Sequence, residues 1–144
     1  MARRFALAAL GYLVPTFVLG FTWHFWFFPH VYEALGIYNR ADPIIPLGFL
    51  SMAIQAVVLA YLFPFFARDE PSIGRGVVFG LVMGVFLFSV STLANAAKIV
   101  VTNMGTWLLI QAAFHAIQFV IAGALIGLAY RGSAMIGQRR VLAT

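Results

Sequence analysis

The chain has 144 residues, 63% of them hydrophobic and 9% charged, with a mean hydropathy of +0.99 and a formal charge of +5. Soluble domains are roughly half apolar and about a quarter charged, so this chain lacks the polar surface of a globule in water, and lipid is its natural solvent. No cysteine is present, which excludes disulfides, thiolate metal sites and cysteine nucleophiles; the few basic residues lie between apolar runs and form no patch for nucleic acid, so they read as topology signals and lipid-headgroup contacts.

Arg3 and Arg4 precede an apolar run from Phe5 to Phe28. A secretory signal core is only about 7–15 residues long and ends in small residues. This run is longer and ends in bulky aromatics, so it predicts an uncleaved first span. A span needs about 20 mostly apolar residues, and three more segments qualify: Ile44–Phe66, Val77–Val101 and Gly105–Tyr130. Between the first two, residues Pro29 to Pro43 carry Glu33, Arg40 and Asp42, with a short interfacial helix expected over Tyr32–Leu35. Ala67 to Gly76 carries Arg68, Asp69, Glu70, Pro71 and Arg75. Thr102, Asn103 and Met104 make a tight turn, and a polar tail follows Arg131.

Backbone groups in lipid must be satisfied within each segment, and short loops pair neighbouring helices antiparallel. The expected fold is therefore all-α: residues 1–144 form a single integral membrane domain, an up-down four-helix bundle. With the N-terminus inside, the cytoplasmic basic set is Arg3, Arg4, Arg68, Arg75, Arg131, Arg139 and Arg140, against Arg40 and Lys98 outside. The positive-inside bias selects this N-in, C-in orientation. Trp23, Trp26 and Trp107 then fall near the outer interface, with Tyr32 and Tyr38 just beyond, as an aromatic belt requires. A bacterial cytoplasmic (inner) membrane is the expected location.

Polar side chains inside a span are costly and face the bundle interior. Gln111, His115 and Gln118 recur at i, i+4 and i+7 in the last span, and Ser91, Asn95 and Lys98 share that spacing in the third. Gly48, Ser51 and Gln55 follow a similar period in the second, and Thr16, Gly20 and His24 in the first, where Pro15 is expected to bend the helix. At about 1.5 Å per residue, Lys98 and His24 lie roughly 5–6 Å from the outer ends, Gln111 and Asn95 about 9 Å, and His115 and Gln55 about 15 Å. The polar groups thus thin out toward the inner half, Gln118 being the main exception. Two readings fit: hydrogen-bonding glue between helices, with Lys98 snorkelling to the surface, or an outward-facing polar pocket. For the pocket the candidate ligand-binding residues are His115, Gln111, Gln118, Asn95, Lys98, Gln55, His24 and Trp23, and Lys98 would favour an anionic group at its mouth.

Small-xxx-small pairs at Gly80/Gly84 and Gly123/Gly127 predict close helix contacts without naming the partner. Haem held by His24 and His115 is disfavoured, because their estimated depths differ by roughly 9 Å, and no cluster has metal spacing. All four acidic residues lie in loops, and neither a nucleophile elbow nor a phosphate loop occurs. An enzyme is therefore not expected.

Gly20-Phe21-Thr22-Trp23-His24, followed by Tyr32-Glu33-Ala34-Leu35-Gly36, resembles the first helix of small bacterial four-span membrane proteins classed as a domain of unknown function. In that family a Gly-x-x-Trp-Tyr element leads to an aromatic-rich exit and a Leu-Gly pair. Ala113-Phe114-His115-Ala116-Ile117-Gln118-Phe119, running on to Gly123 and Gly127, resembles its last helix, where His-x-x-Gln-Phe precedes a glycine-rich end. His24 stands where the family favours Tyr. The resemblance implies the four-span topology, points to Trp23, His115 and Gln118, and names no reaction. The functional expectation is a non-enzymatic, multi-pass protein whose pocket takes a small molecule or lipid headgroup. The alternatives are an accessory subunit of a larger membrane complex, docking through Gly80/Gly84 and the aromatic rim, and a small oligomeric channel or transporter.

Overall fold

The computed structural model describes residues 1–37, 40, 42–68 and 70–131. Tyr38 of the expected aromatic belt, Asp69, and Arg139 and Arg140 of the orientation count lie outside them. Four helices are long and apolar enough to cross a membrane: α1 (Ala2–Phe27), α3 (Ile45–Phe66), α4 (Ile73–Ala96) and α5 (Met104–Tyr130). Between the first two lies the short α2 (Pro29–Leu35). Among the described residues there is no strand.

Local chemistry sets the boundaries. Pro29 opens α2 at a position that needs no donor, and Gly36 closes it in the left-handed region at φ 71°. The Ser72 side chain accepts from the Arg75 N–H at 3.3 Å, so α4 begins at Ile73, four residues before the apolar run suggests, and Arg75 is helical. Asn103 caps α5 in the same way, accepting from the Thr106 N–H at 3.0 Å. At its far end α4 stops at Ala96 rather than Val101.

Two turns are wider than α-helical. Residues Trp23–Phe27 of α1 and Ser89–Leu93 of α4 form π turns. The Phe28 N–H reaches back to the Trp23 carbonyl, and the Ala94 N–H to that of Ser89, each five residues away.

The tightest contact joins α4 to α5. Gly76 and Gly80 lie against Gly123 and Gly127, backbone on backbone. A Cβ on Gly80 would run into the Phe119 carbonyl oxygen, and one on Gly123 into that of Gly76. Of the glycine pairs left without a partner by the sequence, Gly80 meets Gly123, while Gly127 meets Gly76 and Gly84 meets the Phe119 side chain, so the Gly80/Gly84 face considered for docking a larger complex is covered by α5.

Two buried clusters follow. At one end, Ala8 and Tyr12 of α1, Phe63 of α3, Phe79 of α4 and Ile126 and Tyr130 of α5 pack together. The described arginines 3, 4, 68, 75 and 131 belong to the chain segments flanking this basic end. At the opposite, aromatic end, Trp23, Tyr32 and Leu35 pack on Trp107 and Ile110. Helix α3 rests mainly on α1. Its buried residues are Ala56, Leu59, Ala60 and Phe63, all in its second half. Every residue from Asp42 to Ser51 is exposed, so α3 diverges from the bundle toward the aromatic end.

Replacing Gly80 or Gly123 with Ala forces backbone apart and costs about 1–3 kcal/mol. Gly74, where an added Cβ meets nothing within 4 Å, tolerates Ala at little cost. Thermal melts in one detergent compare the three; equal midpoints would contradict the close seam.

Candidate functional site

The divergence of α3 opens a cavity of about 690 Å³ between α1, α3, α4 and α5. Of the eight residues singled out by the sequence, His24, Gln55, Asn95, Gln111, His115 and Gln118 line it. Thr16, Gly20, Gly48, Ser51 and Ser91, the companions of these residues in the polar stripes, line it too. All four long helices thus contribute polar atoms to one space.

Trp23 and Lys98 are not among the lining residues. Trp23 is buried, and its indole N–H donates to the Tyr32 hydroxyl at 3.0 Å, which in turn donates to Gln111 Oε1 at 3.0 Å. Trp23 thereby ties α1 to α2, and Tyr32 ties α2 to α5. Lys98 is exposed beyond the end of α4. The i, i+4, i+7 rule placed it on the Ser91–Asn95 face, but the π turn at 89–93 carries an extra residue and the helix ends before residue 98, so the α-helical register does not extend that far.

A second network crosses the middle of the bundle. Gln118 Nε2 donates to the Tyr12 hydroxyl at 3.1 Å and to Thr16 Oγ1 at 3.4 Å. Tyr12 donates to Gln55 Oε1, and Gln55 Nε2 donates to Ser51 Oγ at 3.2 Å. The chain of bonds runs from α5 through α1 to α3, and together with the Tyr130 hydroxyl of α5, which donates to the Ala60 carbonyl at 2.9 Å, it ties in the outlying helix. A third group lies between α4 and α5, where His115 Nε2 stands 3.1 Å from Ser91 Oγ and Asn95 Nδ2 donates to the Ser91 carbonyl at 2.8 Å.

The histidine tautomers follow from their neighbours. Nδ1 of His24 lies 2.8 Å from the Gly20 carbonyl, and Nδ1 of His115 lies 2.8 Å from that of Gln111. A carbonyl only accepts, so Nδ1 carries the proton in each ring, and in the neutral form Nε2 bears the lone pair. Although the estimated depths of the two residues differ by roughly 9 Å, both rings stand against Phe114, at centroid separations of 5.1 and 5.6 Å. His115 also stacks nearly parallel on Phe119, at 6.3 Å. Among the described residues no three His, Cys, Asp or Glu side chains gather as metal ligands.

Among the described residues lining the cavity, none is Asp, Glu, Lys or Arg. Its polarity comes from amides, hydroxyls and imidazoles, so it suits an uncharged polar guest. An unpaired ion there would lose hydration with no counter-charge to replace it.

Two residues of these hydrogen-bond networks escaped the sequence reading. Tyr12 is fully buried at the crossing of the second network, hidden as one more aromatic in an apolar run. Its signal was present: Tyr12, Thr16, Gly20 and His24 recur every four residues. Tyr32, expected in the interfacial belt, is only 3% exposed and links Trp23 to Gln111. Thr92 differs from both. It is wholly buried in the π turn of α4, and its hydroxyl has no hydrogen-bond partner.

Compared with family models, curated proteins and solved structures, the chain matches none.

Two substitutions separate the tie from the orphan. Tyr12→Phe leaves Gln118 and Gln55 short of a partner and lowers stability by about 1–2 kcal/mol. Thr92→Val removes a buried hydroxyl that bonds to nothing while keeping its shape, and leaves the melting temperature unchanged or higher. A marked loss from Thr92→Val would show that the hydroxyl is engaged.

Proposed function

We propose that this chain is a non-enzymatic, multi-pass protein of the bacterial cytoplasmic membrane whose cavity takes up a small uncharged molecule or lipid headgroup from the outer side. The carrying observation is the convergence of polar side chains from all four long helices on one cavity, with no Asp, Glu, Lys or Arg among its described lining residues. Glue alone asks only that polar groups pair across helix contacts, and here the paired groups also wall a space large enough for a ligand.

The orientation rests on charge. The described arginines 3, 4, 68, 75 and 131 flank one end of the helices, whereas Arg40 and Lys98 belong to the other. In an up-down bundle with both termini cytoplasmic, the aromatic end and its cavity face outward. The four-span family that the first and last helices resemble accords with this topology.

His115→Ala removes the imidazole beside Ser91, and Asn95→Ala removes an amide from the cavity wall. Ligand-induced thermal shifts against a panel of neutral small molecules are expected for the wild type and reduced in both variants. If no compound shifts the wild type, the binding reading loses its support. Because the chain has no cysteine, orientation is read from single-cysteine variants. An impermeant thiol reagent should label Glu33→Cys in intact spheroplasts and Glu70→Cys only after lysis; the reverse pattern would invert the topology.

A further inference from the structure

The polar cavity does not end at the bundle wall. A second cavity of about 820 Å³ shares His24, Ile37, Gly48 and Ser51 with it. This second space lies between the aromatic end of α1, α2 and the diverging start of α3; Phe25, Pro29, Pro43, Ile44 and Leu47 give it apolar wall, and Glu33 and Arg40 line it as well. Since every residue from Asp42 to Ser51 is exposed, the α3 side of this space faces the bilayer under the topology above. A polar chamber thus adjoins a second space whose apolar wall, with Ile44 and Leu47 on its α3 side, opens toward lipid, a shape that fits a polar head with an apolar chain.

Two glutamines describe the head. Gln111 is 5% exposed and Gln118 is 6% exposed, and both line the polar cavity. Gln111 accepts from Tyr32 through Oε1, and its amide nitrogen donates to no described residue. Gln118 donates through Nε2 to Tyr12 and Thr16, and its Oε1 accepts from none. Neither atom is fully buried. The wall therefore offers a donor and an acceptor seven residues apart on one helix, roughly 10 Å along its axis. Between them lie Phe114 and His115, whose rings line the same wall. A head that meets both glutamines lies across those rings, and a flat one uses their faces.

We propose that the ligand is a lipid-soluble quinone or its quinol: a flat, uncharged ring with oxygens on opposite edges, seated between Gln111 and Gln118, with its apolar chain leaving past Gly48 toward the bilayer. This rests on the reading of the cavity as a binding site and adds the ring, the chain and the route. The quinol meets both ends, one hydroxyl oxygen accepting from Gln111 Nε2 and the opposite hydroxyl donating to Gln118 Oε1, whereas the quinone, which only accepts, is held by Gln111. Among its described lining residues the polar chamber carries no charged group, which disfavours phosphate and ammonium heads there; Glu33 and Arg40 line only the adjoining space.

Glycines supply the test. A Cβ on Gly20 or Gly48 meets nothing within 4 Å, and both line the polar cavity, Gly48 at its junction with the passage. Gly20→Phe and Gly48→Phe therefore fill the space without breaking a side-chain hydrogen bond. Gly74→Phe, also in open space but outside both cavities, is the control. The full chain is placed in quinone-free nanodiscs and titrated with decylubiquinone, read by quenching of tryptophan emission, since Trp107 lines the cavity. Saturable quenching is expected, with affinity falling about tenfold or more in Gly20→Phe and Gly48→Phe and holding in Gly74→Phe. Melting temperatures certify each variant, and if one cavity-filling variant does not fold the other decides.

Absence of saturable quenching, or equal affinity in all variants, overturns the proposal. So does displacement of the quinone by a monoacylglycerol or an alkyl phosphate of equal chain length as readily as by quinone itself. Ser91→Cys, probed with a small uncharged water-soluble thiol reagent, reads the cavity independently. Labelling without quinone binding rejects the quinone and leaves the binding site standing, whereas failure of both rejects both.

Discussion

Helices α4 and α5 approach so closely that backbone meets backbone. Gly76, Gly80, Gly123 and Gly127 leave no room for a single added carbon, and the contact gathers at the basic end. One turn further on, Gly84 meets the Phe119 side chain instead of backbone. Beyond that point α4 widens into its π turn, and the polar residues of α5 face a space rather than a neighbour. In lipid, where apolar side chains gain little by leaving the solvent, such close packing is a main source of helix association. The glycine seam therefore holds one end of the bundle shut, and the cavity exists where the seam stops.

Helix α3 depends on a different force. It touches the rest mainly through Ala56, Leu59, Ala60 and Phe63, and the Tyr12–Gln55 bond ties its middle to α1 and, through Gln118, to α5. Hydrogen-bonding glue and a ligand cavity, posed by the sequence as alternatives, turn out to share the same side chains. Gln118 is the clearest case: its nitrogen binds two residues of α1, and its oxygen remains directed to no protein partner. An amide has more hydrogen-bonding capacity than one helix contact consumes, and that surplus lets a structural residue also serve a site.

Much of this was legible in the residues. Lipid imposes length and apolarity on each helix, so four apolar runs translate directly into four helices, with errors only at the ends, where Ser72 and the turn after Ala96 decide. Polar stripes at helical spacing located six cavity residues, because an amide placed in lipid has few places to turn but inward. Lys98 shows where periodicity fails: counting by 3.6 presumes an unbroken α-helix, and nothing in Ser-Val-Ser-Thr-Leu announces a wider turn. The divergence of α3 was equally hidden. Its sequence is apolar throughout, and which half meets a partner is decided by the neighbours rather than by its own composition. Tyr12 was overlooked because an aromatic ring conceals its hydroxyl in any count of hydrophobic residues.

Each π turn holds one more residue than the α turn it replaces, and both occur toward the aromatic end of their helices, beside the cavity. Deleting one residue from either turn would rotate everything beyond it by roughly 100° relative to the base, while leaving the glycine seam untouched. The molecule is thus built in two storeys: a base whose register is locked by contact, and an upper rim whose facing can be reset by a change of one residue in length. Variation in such a chain can re-aim the chamber without rebuilding what supports it.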